Sequence, residues 1–132
     1  MRQPGLMAAI LIVDDDPLQA SLTMSHLRQR FGDVHRATDA AQAFCMIEQH
    51  DFAHQLGLVI SAHNTLGIGG PAFVAELHDR MPALPVLVLG APEDAHNDYA
   101  DLYVAFLPRP IVAEEMLALT DRLLSQGKNV AA

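Results

Sequence analysis

Positive charge is scarce in these 132 residues: eight lysines and arginines stand against sixteen aspartates and glutamates, for a net charge of −8. That balance argues against nonspecific binding to nucleic acid or to anionic membranes. There is one cysteine, Cys45, so no internal disulfide can form, and a reducing, cytoplasmic setting fits best. Cys45 follows Phe44 in a helical apolar pattern, which predicts buried packing, not reactivity. No stretch approaches the length of a membrane span. The apolar run Ala8 to Val13 ends directly on three aspartates and makes no signal peptide. Repeats, linkers and low-complexity segments are also missing. What remains is one domain over residues 1–132, with a core over about 8–126 and no further domain expected.

Half of the chain, 51%, is hydrophobic, enough for a well-packed core. The apolar residues come in alternating blocks. "AAILIVD" (Ala8 to Asp14) is a continuous run that suits a strand buried on both faces. Asp16 before Pro17 is a helix start, followed by Ala20, Met24, Leu27 and Phe31 at helical spacing and stopped by Gly32. "DVHRAT" (Asp33 to Thr38) gives a second strand, and Asp39 caps a helix carrying Ala40, Ala43, Phe44 and Ile47. "LGLVISA" (Leu56 to Ala62) is strand three, and the helix beyond Gly70 carries Phe73, Val74, Leu77 and Met81. "PVLVLG" (Pro85 to Gly90) is strand four, Glu93 to Leu102 a short acidic helix, and "YVAFL" (Tyr103 to Leu107) strand five. Val112, Met116, Leu119 and Leu123 stripe the last helix. This alternation predicts an α/β fold, a doubly wound five-stranded parallel sheet with helices on both faces. The two most apolar strands, one and three, belong at its centre. The flavodoxin-like order 2-1-3-4-5 satisfies this and opens a crevice at the carboxyl ends of those strands.

Four segments border that crevice: "DDD" (Asp14 to Asp16), "SAHN" (Ser61 to Asn64), "LGAP" (Leu89 to Pro92) and "PRP" (Pro108 to Pro110). With them the chain resembles a receiver domain of two-component response regulators. The resemblance rests on "ILIVDDDPLQ", "LVISAHNTLGIGGPAF" and "FLPRPI", in that order and at about the family's spacing. It implies an acid pair after strand one that holds Mg²⁺, and an aspartate ending strand three that takes a phosphoryl group from a kinase histidine. It further implies a switch hydroxyl ending strand four, a switch aromatic on strand five, and a lysine before proline after strand five.

Carried over, Asp14 and Asp15 match the acid pair, Asn64 the carbonyl that would complete the metal site, and Phe106 the switch aromatic. Ala62 stands at the phosphoacceptor position, Gly90 at the switch hydroxyl and Arg109 at the lysine, and Leu66 replaces the usual loop proline. The stretch from Gly90 to Arg109 is also a few residues short, which predicts a trimmed fourth helix. A methyl group cannot accept phosphate, and Gly90 has no hydroxyl to sense one. The expectation is a degenerate receiver without a catalytic residue or enzyme activity, with a weak or vestigial Mg²⁺ site. Arg109 is expected to reach Asp14 or Asp15 across the vacated site, because two like charges in a crevice need a cation.

Function then points to a phosphorylation-independent protein–protein interaction module of two-component signalling. Its partner would be a histidine kinase, a phosphotransfer protein or a second copy in a homodimer. The resemblance implies contact through the helix between strands four and five, strand five and the last helix, near Tyr99 and Tyr103. The alternatives are phosphorylation at a non-standard residue and a nucleotide sensor using the crevice. His63 is badly placed for the first, Ser61 points to the opposite strand face, and "DDDP" repels anions in the second. His50 and His54 lack a third metal ligand, and Glu93, Asp94, Asp98 and Asp101 read as a solvated face.

Overall fold

Strand β1 (Ala9–Val13) is buried at every position, as an unbroken apolar run requires when both faces are covered. The computed structural model describes residues 8–63, 68–91, 98, 99, 102 and 104–131, with side chains up to 125. β1 pairs in parallel with β2 (Val34–Ala37) on one side and β3 (Leu56–Ala62) on the other. β4 (Val86–Leu89) and β5 (Ala105–Leu107) continue from β3, so the sheet order is 2-1-3-4-5 as expected.

Adjacent residues on a strand face opposite ways, and both sets here are apolar. Ile10, Ile12, Leu58, Ile60, Leu87 and Leu89 meet Leu27 of α1 (Pro17–Arg28) and Met116, Leu123 and Leu124 of α5 (Ala113–Ala131). On the other face Leu11, Val13, Val59 and Val88 meet α2 (Ala40–Ile47) and α4 (Gly70–Arg80) through Ala43, Ile47, Phe73, Val74 and Leu77. A fully buried leucine or isoleucine contributes about 1.5–3 kcal/mol, so these two clusters account for the sheet's position between the helices.

The helix starts follow local chemistry. The Asp16 carboxylate accepts the Leu18 and Gln19 N–H groups at 3.0 and 3.2 Å, with Pro17 in the first turn. Asp39 accepts the Gln42 N–H at 2.8 Å in the same way. Four expectations fail. α1 ends at Arg28, before Gly32, although the Phe31 N–H still donates to the Leu27 carbonyl at 2.8 Å and the ring stays buried. Residues 50–55, with Asp51 to Ala53 read as loop, form α3 (His50–Gln55), anchored by Phe52 against the core. Cys45 is exposed: with Ala43 and Ile47 inward on α2, the position between them points outward. Val112 precedes α5 and is likewise exposed.

Of the acidic helix expected over Glu93 to Leu102, only Asp98, Tyr99 and Leu102 are described. Asp98 and Tyr99 lie in a helical turn closed by the Leu102 N–H on the Tyr99 carbonyl at 2.9 Å. Asp98 is exposed, while Glu93, Asp94, Asp101 and Tyr103 lie outside the described residues. Among the described residues, no helix is long and apolar enough to cross a membrane.

Candidate functional site

The carboxyl ends of β1, β3, β4 and β5 bring Asp14, Ala62, Gly90 and Arg109 to one end of the sheet. Asp14 follows β1 directly and is 6% exposed, whereas Asp15 is exposed. The Asp14 Oδ1 accepts the Asp16 N–H at 3.0 Å. Burial pushes the Asp14 carboxyl above its ordinary 3.8, the Asp16 N–H opposes this, and the charges of Asp15 and Asp16 add to the rise.

The cation at this acidic end is Arg36, not Arg109. Arg36 pairs with Ile12 across the β1–β2 register, so its side chain lies one strand from the acids. Its Nε and Nη2 donate to the Asp14 main-chain oxygen at 3.2 and 2.8 Å, and its charge draws the Asp14 carboxyl back down. The expected Arg109 ion pair with Asp14 or Asp15 is not formed. Arg109 lines a groove with Gln19, Leu22 and Thr23 of α1. The sequence signal for Arg36 was a lone cation on a strand whose parallel register follows an acid-ending neighbour.

Arg109 instead covers Gly90. Gly90 has φ +76°, and a β-carbon there would stand 2.8 Å from the Arg109 Nε and 3.3 Å from its Cζ. The Gly90 N–H donates to the Leu107 carbonyl at 2.9 Å, tying the end of β4 to β5. The following Arg109–Pro110 peptide bond is cis. The positive φ favours glycine at position 90, and the Arg109 side chain would have to move aside for a β-carbon there.

Ala62 ends β3 opposite Leu89. The two hydroxyl- or imidazole-bearing neighbours are engaged elsewhere. Ser61 is buried and donates its hydroxyl to the Ala62 carbonyl at 2.9 Å. His63 Nδ1 lies 3.0 Å from the Tyr99 hydroxyl, and the His63 N–H donates to the Leu89 carbonyl at 3.2 Å.

Tyr99 lies beside β5 as a core residue. Expected near a contact face, it is only 2% exposed and meets Phe106 edge-on at 5.2 Å. Burial, helped by the charge of Asp98, pushes its hydroxyl up to about 12. Its oxygen and the His63 carbonyl occupy the space a β-carbon would need at Gly70, which opens α4. His63, Gly70, Tyr99 and Phe106 thus join the β3–α4 connection to β5. The available signal was an aromatic within a weakly amphipathic acidic stretch.

For Mg²⁺ the donor set fits poorly. Asp14 already accepts a main-chain hydrogen bond, Ala62 offers no carboxylate, and Asn64 and Leu66 lie outside the described residues. Among the described residues, no cluster of three or more histidine, cysteine, aspartate or glutamate side chains could hold a metal ion. Mg²⁺ keeps several waters and leans on carboxylates and phosphoryl oxygens, and Asp14 and Asp15 are the carboxylates that would hold it.

Residues 10–120 match the family model described as response regulator receiver domain. Among solved structures, a response regulator receiver domain protein from Clostridium thermocellum is similar with a TM-score of 0.83 at 17% identity, covering 93% of this chain and 98% of that one. A CheY-like receiver domain protein from Methanospirillum hungatei JF-1 gives 0.82 at 18% identity, with 93% and 98% covered. The signal receiver domain of an HD domain-containing protein from Pseudomonas fluorescens Pf-5 gives 0.79 at 24%, with 95% and 92% covered. No curated protein matches the chain in sequence.

Proposed function

The chain belongs to the response regulator receiver domain family of two-component signalling, and from that premise we propose that it is a degenerate receiver acting without phosphorylation, as a protein–protein interaction module. The observation that carries this reading is the pairing of two losses: Ala62 at the end of β3, and Gly90 at φ +76° beneath the Arg109 guanidinium. A methyl group offers no oxygen to phosphorus. A glycine offers no hydroxyl to a phosphoryl group, and its φ of +76° disfavours any residue that would supply one.

Phe106, the switch aromatic by resemblance, lies against Tyr99, which is itself buried and bonded to His63. Moving Phe106 would disturb that packing, so the reading is of a pocket held in one arrangement. The contact surface proposed is the face around β5 and α5, toward a histidine kinase, a phosphotransfer protein or a second copy. A cytoplasmic, non-enzymatic role goes with it. Phosphorylation at a substitute residue is the less favoured reading, since the Ser61 hydroxyl and the His63 ring already have partners.

The test is incubation with Mg²⁺ and acetyl phosphate, followed by intact-mass measurement. The expected spectrum is unchanged. A stoichiometric phosphoryl adduct would overturn the proposal, and peptide mapping would then identify the substitute acceptor.

A further inference from the structure

A second concave site lies on the α1–β2 side of the domain, lined by Pro17, Ser21, Met24, Ser25, Arg28 and Arg36, with a volume of about 380 Å³. We propose that it binds a small molecule carrying a phosphate group. The chain has eight basic residues and a net charge of −8, yet two of its arginines face this one notch. Neither forms an ion pair with a carboxylate, whereas Arg30 and Arg80 pair with Asp121 and Glu76.

Each guanidinium is oriented by main-chain oxygens. Arg28 Nη2 donates to the Val34 carbonyl at 3.4 Å, and Arg36 Nε and Nη2 donate to the Asp14 carbonyl. Neutral anchors of this kind orient a guanidinium and leave further N–H donors for a ligand, although Arg36 also feels the Asp14 carboxylate. Arg28 donates through one nitrogen only, so its Nε and Nη1 remain available. Ser21 and Ser25 add hydroxyls from one face of α1, four residues apart.

A tetrahedral dianion fits this set better than a planar or neutral ligand does, because two guanidinium groups and two hydroxyls can address different oxygens. The notch also has room for a modest organic group beyond the phosphate, with the Met24 and Pro17 side chains as its apolar wall. Of the acids after β1, Asp14 has its Oδ1 on the Asp16 N–H, Asp16 caps α1 through the Leu18 and Gln19 N–H groups, and none of Asp14, Asp15 and Asp16 lines the notch. This site needs no phosphoryl transfer to the chain, and it stands whether or not position 62 is inert.

Titration with glycerol 3-phosphate, followed by amide chemical shifts, tests the proposal. Saturable shifts are expected at Ser21, Ser25, Arg28 and Arg36, and none with glycerol. Losing one charge-assisted contact weakens binding by about tenfold or more, which is the effect expected of Arg28→Gln. Ser25→Asp, which leaves both guanidinium anchors intact, should abolish binding, and Arg80→Gln, outside the notch, should not change it. Any variant must first retain the wild-type spectrum away from the notch. The proposal is overturned by an absence of saturable shifts, by equal shifts with chloride at matched ionic strength, or by affinity unchanged in both Arg28→Gln and Ser25→Asp.

Discussion

Replacing Gly90 by alanine tests the structural claim on which the functional reading leans. Two costs arise from separate sources. A residue with a β-carbon held at φ +76° loses about 1–2 kcal/mol relative to glycine. The new methyl also stands 2.8 Å from the Arg109 Nε, too close for the side chain to stay where it is. Arg109 is exposed and flexible, so it can retreat, and the contact adds about 0.5–1 kcal/mol at most. For a chain of this size the sum, about 1.5–3 kcal/mol, lowers the melting temperature by roughly 5–11 °C. Thermal unfolding followed by circular dichroism, on wild type, Gly90→Ala, Arg109→Ala and the double variant, separates the two parts. The backbone cost should persist in the Arg109→Ala background, while the contact cost should vanish there. A neutral or stabilising Gly90→Ala would show that position 90 does not need its left-handed backbone, and the argument against a regained switch hydroxyl would fail with it.

Three further outcomes follow from the same end of the sheet. Because burial raises the Asp14 carboxyl above 3.8 in the fold, its ionised form destabilises the native state; that penalty is full above the raised value, fades as pH falls through it, and is gone below 3.8. Asp14→Asn should therefore raise the urea midpoint at pH 7.5 and lose the advantage toward pH 4, and a lower midpoint at pH 7.5 would refute the assignment. Tyr99→Phe removes the hydroxyl beside His63 and should cost about 1 kcal/mol, with the His63 ring resonances shifting in the same variant; an unchanged melting temperature and unchanged ring resonances would mean the contact is idle. Ala62→Asp supplies a carboxylate without a hydroxyl at position 90, so treatment with acetyl phosphate should leave the environment of Phe106 unmoved by NMR, and a large response there would show that Gly90 is no obstacle.

Much of the architecture could be read from the order of residues because the rules involved are local or periodic. A strand buried on both faces must be apolar throughout, and "ILIV" is; a helix needs a capped start, and Asp16–Pro17 and Asp39 provide one. The limits of β3, Leu56–Ala62, match the sequence reading for the same reason. Where the reading failed, packing against the core decided which face of a segment turned inward. Phe52 holds α3 against the core although nothing local caps its start, and Cys45 turns outward because Ala43 and Ile47 take the inner face.

The same division runs through the candidate site. Sequence alone determined which chemical groups are present at the strand ends: three carboxylates after β1, a methyl at position 62, no side chain at position 90, and an arginine at 109. Those identities need no coordinates, since a missing oxygen is missing in any conformation. Only the tertiary structure decided which groups meet. Parallel pairing of β2 with β1 brings Arg36 to Asp14, Arg109 settles over Gly90 instead, and packing buries Tyr99 between His63 and Phe106. Charge pairing depends on distances set by sheet order, and sheet order is a property of the packed whole.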